Sequence, residues 1–191
     1  ASFTLVPRFA LAAAAKLPGD LGAAPMLDAW IRIEPDGRVT VFTGKVELGQ
    51  GVLTALAQIA AEELDVPVAH LTMVAGDTAL TPNESYTSGS QSIEYGGSAL
   101  RFAAAEARAV LLDRAAAMLG TPTDQLKVVN GVVHGPRGKR LGYGQIAMAG
   151  LLHRAATAKV APKPAASHRI VGRPVVRLDI PKKVFAEAIY V

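Results

Sequence analysis

The run Gly44-Lys45-Val46-Glu47-Leu48-Gly49-Gln50-Gly51 opens directly onto Val52 to Leu64, an apolar, alanine-rich stretch with helical spacing. Two glycines let a backbone pass close to a bulky group, because no Cβ stands in the way. A helix that begins just after them aims unsatisfied N–H groups and a partial positive charge at whatever lies there. Between the glycines, Gln50 carries an amide donor and a carbonyl acceptor. Such a turn suits a large, polar, anionic ligand. Plain strand-to-helix geometry asks for the same glycines, so on local chemistry both readings stand.

Upstream, Trp30 to Ile33 and Val39 to Phe42 flank Glu34-Pro35-Asp36-Gly37. Proline pre-sets one dihedral there and glycine takes the positive φ, which predicts a β-hairpin. Downstream, the helix from Gly51 should end near Asp65-Val66-Pro67, and Leu71 to Ala75 reads as a strand. A long polar loop follows from Gly76 to Ser92, then a second helix from about Gly97 to Leu119. Leu100, Ala104, Ala107, Val110, Leu111, Ala115 and Met118 fall on one face of it. Gly120 stops that helix, and Thr121-Pro122 reads as the cap and first position of a short helical turn. Val128-Val129-Asn130-Gly131-Val132-Val133 is a tight-hairpin signature, with Asn-Gly supplying both left-handed positions. Gly135-Pro136-Arg137-Gly138 is a further turn, and Gly144 to Leu152 is read as a short helix. From Ala155 the chain is basic and proline-rich, without a period until an apolar, strand-like run ending at Val191. The expected class is α+β, with hairpins and mixed strands packed on two main helices.

Thr87-Ser88-Gly89-Ser90-Gln91-Ser92 puts hydroxyls, an amide and a glycine in one loop, and Gly96-Gly97 follows at the mouth of the long helix. Successive N–H groups with hydroxyls make a concave anion site, and a helix start adds a favourable dipole. A solvated loop with a serine cap would look the same. Duplication shifts the balance. Two glycine-rich turns each precede a helix, and both follow strands that could lie side by side, so together they could grip one extended phosphorylated ligand. Asp77, Glu84 and Glu94 surround the second loop without forming a spaced acid/base pair, Glu62-Glu63 reads as surface, and Lys45 reads as facing water.

The 191 residues suffice for one sizeable core or two small ones, and half of them are apolar but only 5% aromatic. The core must therefore be built from Ala, Val, Leu and Ile. A net charge of +4 is scattered, and no run alternates Lys or Arg with aromatics, which argues against a nucleic-acid surface. There is no cysteine, which excludes disulfides, Cys-ligated zinc and an iron–sulfur cluster held by this chain. His70, His134, His153 and His168 are far apart, so the expectation is no metal site made by the protein alone. Ala1 to Ala15 is nearly uncharged apart from Arg8, and its Ala10-Leu11-Ala12 reads either as the cleavage site of an export signal or as part of an Ala-rich helix.

Val39 to Gly51, with the later Tyr86-Thr87-Ser88-Gly89-Ser90-Gln91-Ser92 and Gly96-Gly97-Ser98-Ala99-Leu100-Arg101, resembles the two cofactor loops of the molybdopterin-binding large subunits of the xanthine dehydrogenase/aldehyde oxidoreductase family. The likeness covers most of Leu27 to Val191 and is strongest to bacterial isoquinoline 1-oxidoreductase β, nicotinate dehydrogenase B and aldehyde dehydrogenase subunits. It implies cofactor contacts from Gly49, Gln50 and Gly51, with Gln50 as side-chain donor, and from the second loop, Thr87, Ser88, Gly89, Ser90, Gln91 and Ser92. It implies molybdenum held by molybdopterin cytosine dinucleotide through pterin sulfurs, and [2Fe–2S] only in a partner subunit.

The family's reaction is hydroxylation of an aldehyde or N-heteroaromatic carbon, with water as oxygen source and a glutamate as base. That glutamate belongs to a Gly-x-x-Gly-Glu stretch that this sequence lacks, so no catalytic residue is assigned here. Activity is expected only with the remainder of the molybdopterin subunit, a [2Fe–2S] subunit and, in exported members, a c-type cytochrome, acting on a small-molecule substrate. The implied division is residues 1–26 as export-signal remnant and linker, 27–154 as part of a molybdopterin-binding domain, and 155–191 as an extended basic segment leading into a hammerhead-like domain. Twin-arginine export would place the protein in the periplasm or on the periplasmic face of the inner membrane; without it, the cytoplasm is expected. The competing reading is a non-catalytic phospholigand- or RNA-binding module, against which the lack of base-stacking aromatics counts.

Overall fold

The turn at Glu34-Pro35-Asp36-Gly37 reverses the chain as expected in the structure, a computed structural model that describes residues 16–187. The apolar N-terminal stretch and the terminal run Ala188-Ile189-Tyr190-Val191 lie outside the described residues. Gly37 takes φ 87°, and the Asp36 carboxylate accepts the Arg38 N–H at 3.0 Å. β1 (Ile31–Ile33) and β2 (Val39–Thr43) pair antiparallel, with Ile31 opposite Val41. The chain then runs through α1 (Val52–Leu64) to β3 (Leu71–Ala75), which lies parallel to β2 with Val39 opposite Leu71 and Thr43 opposite Ala75. This single βαβ unit is the frame of the molecule. It brings both glycine-rich loops out of the same end of adjacent strands.

α2 (Ser98–Leu119) packs across α1 through alanines, with Ala57, Ala60 and Ala61 on one helix and Ala99, Ala103, Ala104 and Ala107 on the other, all buried. Small side chains let the two helices approach closely, which compensates for the scarcity of aromatics. Of the predicted apolar face, Leu100, Ala104, Ala107, Leu111 and Ala115 are fully buried, Val110 only partly, and Met118 faces out. Trp30, the sole tryptophan, is fully buried and donates its indole N–H to the Ala24 carbonyl at 2.8 Å.

The Asn-Gly hairpin forms as predicted, with Asn130 and Gly131 both left-handed. β4 (Lys127–Val129), β5 (Val132–His134) and β6 (Arg140–Gly142) make a second, antiparallel sheet. Two local expectations fail. Thr121 does not cap a helix: its hydroxyl donates back to the Leu119 carbonyl, and Pro122 precedes a turn at Thr123–Gln125. The helix expected over Gly144 to Leu152 is only α3 (Tyr143–Ile146), because Ala147 turns to extended backbone. Tyr143, fully buried, donates its hydroxyl to the Leu64 carbonyl at 2.9 Å.

From Ala155 the chain becomes a strap. Ala156 N–H reaches the Pro25 carbonyl at 2.7 Å, and the segment then crosses α2 and α1 before α4 (Ile180–Val184). It has almost no ladder of its own, so its N–H groups need other acceptors. Glu106 accepts from the Thr157 N–H and hydroxyl and from the Ala158 N–H. Glu63 accepts from the Lys163 N–H at 3.0 Å, and Glu62 from the N–H groups of Arg169, Ile170 and Val171 at 2.6–3.0 Å. Glu62-Glu63 is therefore buried and not surface, because a backbone segment covers it. Burial alone would raise the Glu62 pKa, but the Ile170, Val171 and Arg169 donors and the Lys163 charge outweigh it and hold the carboxyl below its ordinary 4.5.

Lys45 is likewise buried rather than solvated. Its ammonium donates to the carbonyls of Glu84 and Tyr86 and lies 3.5 Å from the Asp20 carboxylate. Glu84, also buried, accepts the Thr43 hydroxyl at 2.6 Å and the Gly44 N–H at 2.5 Å. Its other oxygen finds no partner among the described residues. Desolvation raises the Glu84 carboxyl above its ordinary value, against the Thr43 and Gly44 hydrogen bonds and the Lys45 charge.

Two outcomes follow from these carboxylates. Glu62→Ala should lower the unfolding free energy by about 2–4 kcal/mol, since three N–H groups lose a charged acceptor. Glu62→Gln, which keeps an acceptor oxygen, should cost about half as much. Because the folded pKa of Glu62 is depressed, its stabilisation is complete above the unfolded value and lost as pH falls through the folded one. Glu84 has the opposite sign: its folded carboxyl binds a proton more readily, so it favours folding more at low pH than near neutrality. The stability of the wild type relative to Glu84→Gln should therefore be greater at about pH 5 than at about pH 7. Urea unfolding at the two pH values checks both, and a difference of the reverse sign would refute the Glu84 assignment.

Candidate functional site

The Thr43 end of β2 passes straight into the first loop, and the turn there is braced by its own side chains. Gln50 accepts the Leu48 N–H at 2.6 Å and donates to the Val46 carbonyl at 3.1 Å, so both ends of its amide close the turn. Gly49 and Gly51 take φ 104° and 83°, backbone that side chains rarely adopt. The expected bare helix start is not bare. The Glu47 carboxylate accepts the N–H groups of Gly49 and Gly51, each at 2.8 Å, and of Leu53 at 3.3 Å. An anion supplied by the chain thus neutralises the N-terminal end of α1. Arg177 donates to the Gly49 carbonyl at 3.0 Å from the strap.

The second loop leaves β3 and folds back over the first. The Thr87 hydroxyl accepts the Val46 N–H at 2.9 Å, tying the loops together. Asp77, which the sequence left without a role, and Asn83 cap turns within the loop by accepting the N–H groups of Ala79 and Ser85. Gly89 and Ser90 lie at φ 31° and 45°, and a π-helical turn, Ser92–Gly97, leads into α2. Gly96 is buried where a Cβ would strike the Glu84 carboxylate, so the Lys45–Glu84 pair beneath the loops requires glycine there.

Between the loops lies an open cleft of about 740 Å³. Gln50, Gly51, Thr87, Ser88, Gly89, Ser90 and Ser92 line it, so seven of the nine sequence-predicted residues converge. Gly49 and Gln91 are not in the lining: Gly49 faces Arg177, and Gln91 starts the helical turn. Leu48, Val52, Ala55, Ile93 and Glu94 complete the wall. The apolar members give no signal apart from ordinary helix periodicity. Glu47 and Arg177 also escaped the sequence reading, Glu47 because a glutamate before a glycine turn looks solvated, Arg177 because nothing local links it to a loop so far upstream. A smaller hollow of about 350 Å³ lies elsewhere, between β1 and the turn after α3, beside a His153–Asp28 contact of 2.7 Å.

The cleft joins an apolar lining to a few hydroxyl groups. Nothing stands within 4 Å of where a Cβ would sit on Gly89, so its backbone is open to close approach from the cleft. The hydroxyls of Ser88, Ser90 and Ser92 hold no hydrogen bond to another described residue and remain available as donors. Val52, Ala55 and Ile93 add apolar surface to the same cleft. Among the described residues no group of three or more His, Cys, Asp or Glu is placed to hold a metal ion.

Comparison with known proteins identifies the family. Residues 11–170 match the molybdopterin cofactor-binding domain family. The chain is 40% identical over 166 residues to nicotinate dehydrogenase B of Pseudomonas putida, covering 86% of this chain and 14% of that protein. It is 34% identical over 179 residues to the membrane-bound aldehyde dehydrogenase [pyrroloquinoline-quinone] of Gluconacetobacter polyoxogenes, covering 91% and 23%. Among solved structures, CO dehydrogenase from Oligotropha carboxidovorans superposes with a TM-score of 0.54 at 31% identity, covering 61% of this chain and 15% of that one. Quinoline 2-oxidoreductase from Pseudomonas putida 86 gives 0.53 at 30%, with the same coverage. The chain thus spans about a seventh to a quarter of the relatives it matches. On this match the chain belongs to the molybdopterin-binding xanthine dehydrogenase/aldehyde oxidoreductase family.

Proposed function

We propose that this chain is the cofactor-binding part of a molybdenum hydroxylase that oxidises an aldehyde or an N-heteroaromatic compound, taking oxygen from water. The observation that carries this is the convergence of Gln50, Gly51, Ser88, Gly89, Ser90 and Ser92 on one cleft, in a chain of this family. The names of the relatives, nicotinate and aldehyde dehydrogenases and a quinoline oxidoreductase, support the two substrate classes. Bound molybdopterin, in its cytosine dinucleotide form, supplies the redox centre that exchanges electrons with the substrate.

The residues of this chain bind and orient that group. Gly89 admits it close to the backbone, the hydroxyls of Ser88, Ser90 and Ser92 donate to its acceptors, and Val52, Ala55 and Ile93 cover its apolar part and exclude water. The Gln50 amide holds its turn in shape and presents that turn to the cleft. Glu47 is committed to three N–H groups, so it is a brace and not a base. The proton acceptor and the remaining pocket come from the rest of the subunit. Electrons leave through a [2Fe–2S] subunit, and through a c-type cytochrome if the complex is exported to the periplasm.

The subunit purified with its partners should contain molybdenum and a cytosine nucleotide released on denaturation; active complex lacking both would refute the reading. Ser88→Ala with Ser90→Ala tests the site itself. Those hydroxyls support nothing within the described chain, so unfolding free energy should change by no more than about 0.5 kcal/mol. Cofactor retained after gel filtration should fall about tenfold, the equivalent of one or two lost hydrogen bonds. Full retention would place the cofactor elsewhere.

A further inference from the structure

We propose that Glu47 and Arg177 form a latch that sets the conformation of the Gly49-Gln50-Gly51 turn from both sides of its backbone, so that Arg177 is a positioning residue for whatever the turn contacts. The proposal rests on the cofactor reading of the cleft. Glu47 grips the amide side of the turn, accepting from Gly49, Gly51 and Leu53. Arg177 grips the carbonyl side through Nη2 to Gly49 O at 3.0 Å. The same nitrogen lies 3.6 Å from the Glu47 carboxylate, so the two grips are joined by opposite charges. A Cβ on Gly51 would stand 3.5 Å from the guanidinium carbon, which shows how closely the turn is seated on the arginine.

The guanidinium is itself fixed. Asp179 takes two of its nitrogens in a fork, Nε at 2.9 Å and Nη2 at 2.7 Å, and Lys183 adds a second cation to that carboxylate at 2.7 Å. Hydrogen bonding to Arg177 and Lys183 holds the Asp179 carboxyl well below the ordinary carboxylate range, so the fork stays charged throughout the neutral range. One residue on, the Leu178 N–H donates to the Thr54 hydroxyl at 3.0 Å, seating the strap on the first turn of α1. A left-handed turn with two glycines has many accessible shapes. Clamping it at one carbonyl and three N–H groups reduces these to one before any ligand arrives, which lowers the ordering cost of binding. The strap therefore does more than cover the helices: it transmits the position of residues 177–179 to the cleft.

The test uses the full subunit in its complex, with Arg177→Gln, Arg177→Lys and, as a surface control, Arg38→Gln. Cofactor retained per subunit after gel filtration should fall about tenfold in Arg177→Gln, equivalent to about 1.4 kcal/mol. It should fall less in Arg177→Lys, which keeps the charge but cannot hold Asp179 and Gly49 together, and be unchanged in Arg38→Gln. Amide hydrogen exchange should accelerate over residues 47–53 of Arg177→Gln with the second sheet unaffected, a local loosening that a general loss of stability would not produce. Asp179→Asn, which leaves the guanidinium in place but frees its orientation, should give a weaker copy of both effects and serves if Arg177→Gln does not fold. Unchanged exchange over 47–53 or full cofactor retention in Arg177→Gln would overturn the latch. Absence of any molybdopterin from the wild-type complex would instead sink the functional reading beneath it, while the exchange result would still judge the clamp.

Discussion

Backbone N–H groups outside helices and sheets need acceptors when they are covered, and in this molecule glutamates supply them. Glu62, Glu63 and Glu106 hold the strap, Glu84 holds the end of β2, and Glu47 holds the first loop. A carboxylate suits the task because each oxygen can accept more than one N–H, as one Glu62 oxygen does for three residues. Charge makes these bonds strong enough to offset burial. Without them the strap would expose its backbone, uncover α1 and α2, and leave Arg177 with no fixed place. The route from helix to loop thus runs through side chains that serve as backbone acceptors.

The parallel pairing of β2 and β3 turns this scaffold into a site. Two strands of one register deliver two loops at one end, and the intervening α1 begins between them. The start of α1 and the π-helical turn that leads into α2 border the same cleft. The Lys45–Glu84 pair lies just below, where the two loops must be tied together. Lys45 reaches the backbone of the second loop from the first, so the loops share one foundation rather than moving separately.

The sequence was most legible where one residue type has one physical use. Pro-Asp-Gly and Asn-Gly marked both hairpins, and Gly120 ended α2, because positive φ leaves few alternatives. The two loops stood out through glycines and hydroxyls in order along the chain, and seven of the nine residues named in them line one cleft. Residues whose role depends on distant partners were misread. Lys45 and Glu62-Glu63 looked solvated because charge is usually outside, and only tertiary structure shows what covers them. The short helix after Gly142 was overextended because Ala147 and Met148 are good helix formers; nothing local announces the turn that follows. Arg177 was invisible for the same reason, since its partner Gly49 stands far upstream.

The capping of α1 by Glu47 changes how the first loop can recognise anything. A free helix start attracts anions in general, phosphate and carboxylate alike. With a carboxylate already on the N–H groups of Gly49, Gly51 and Leu53, that general attraction is satisfied inside the protein. What the turn still offers is shape: a backbone without Cβ atoms, held in one conformation by Gln50 within and by Arg177 from the strap. The second loop keeps the hydroxyls of Ser88, Ser90 and Ser92 unengaged and so retains hydrogen-bonding capacity. The two loops are therefore not duplicates, as their glycine content suggests. The first is a braced backbone shape, and the second is a source of free hydroxyls.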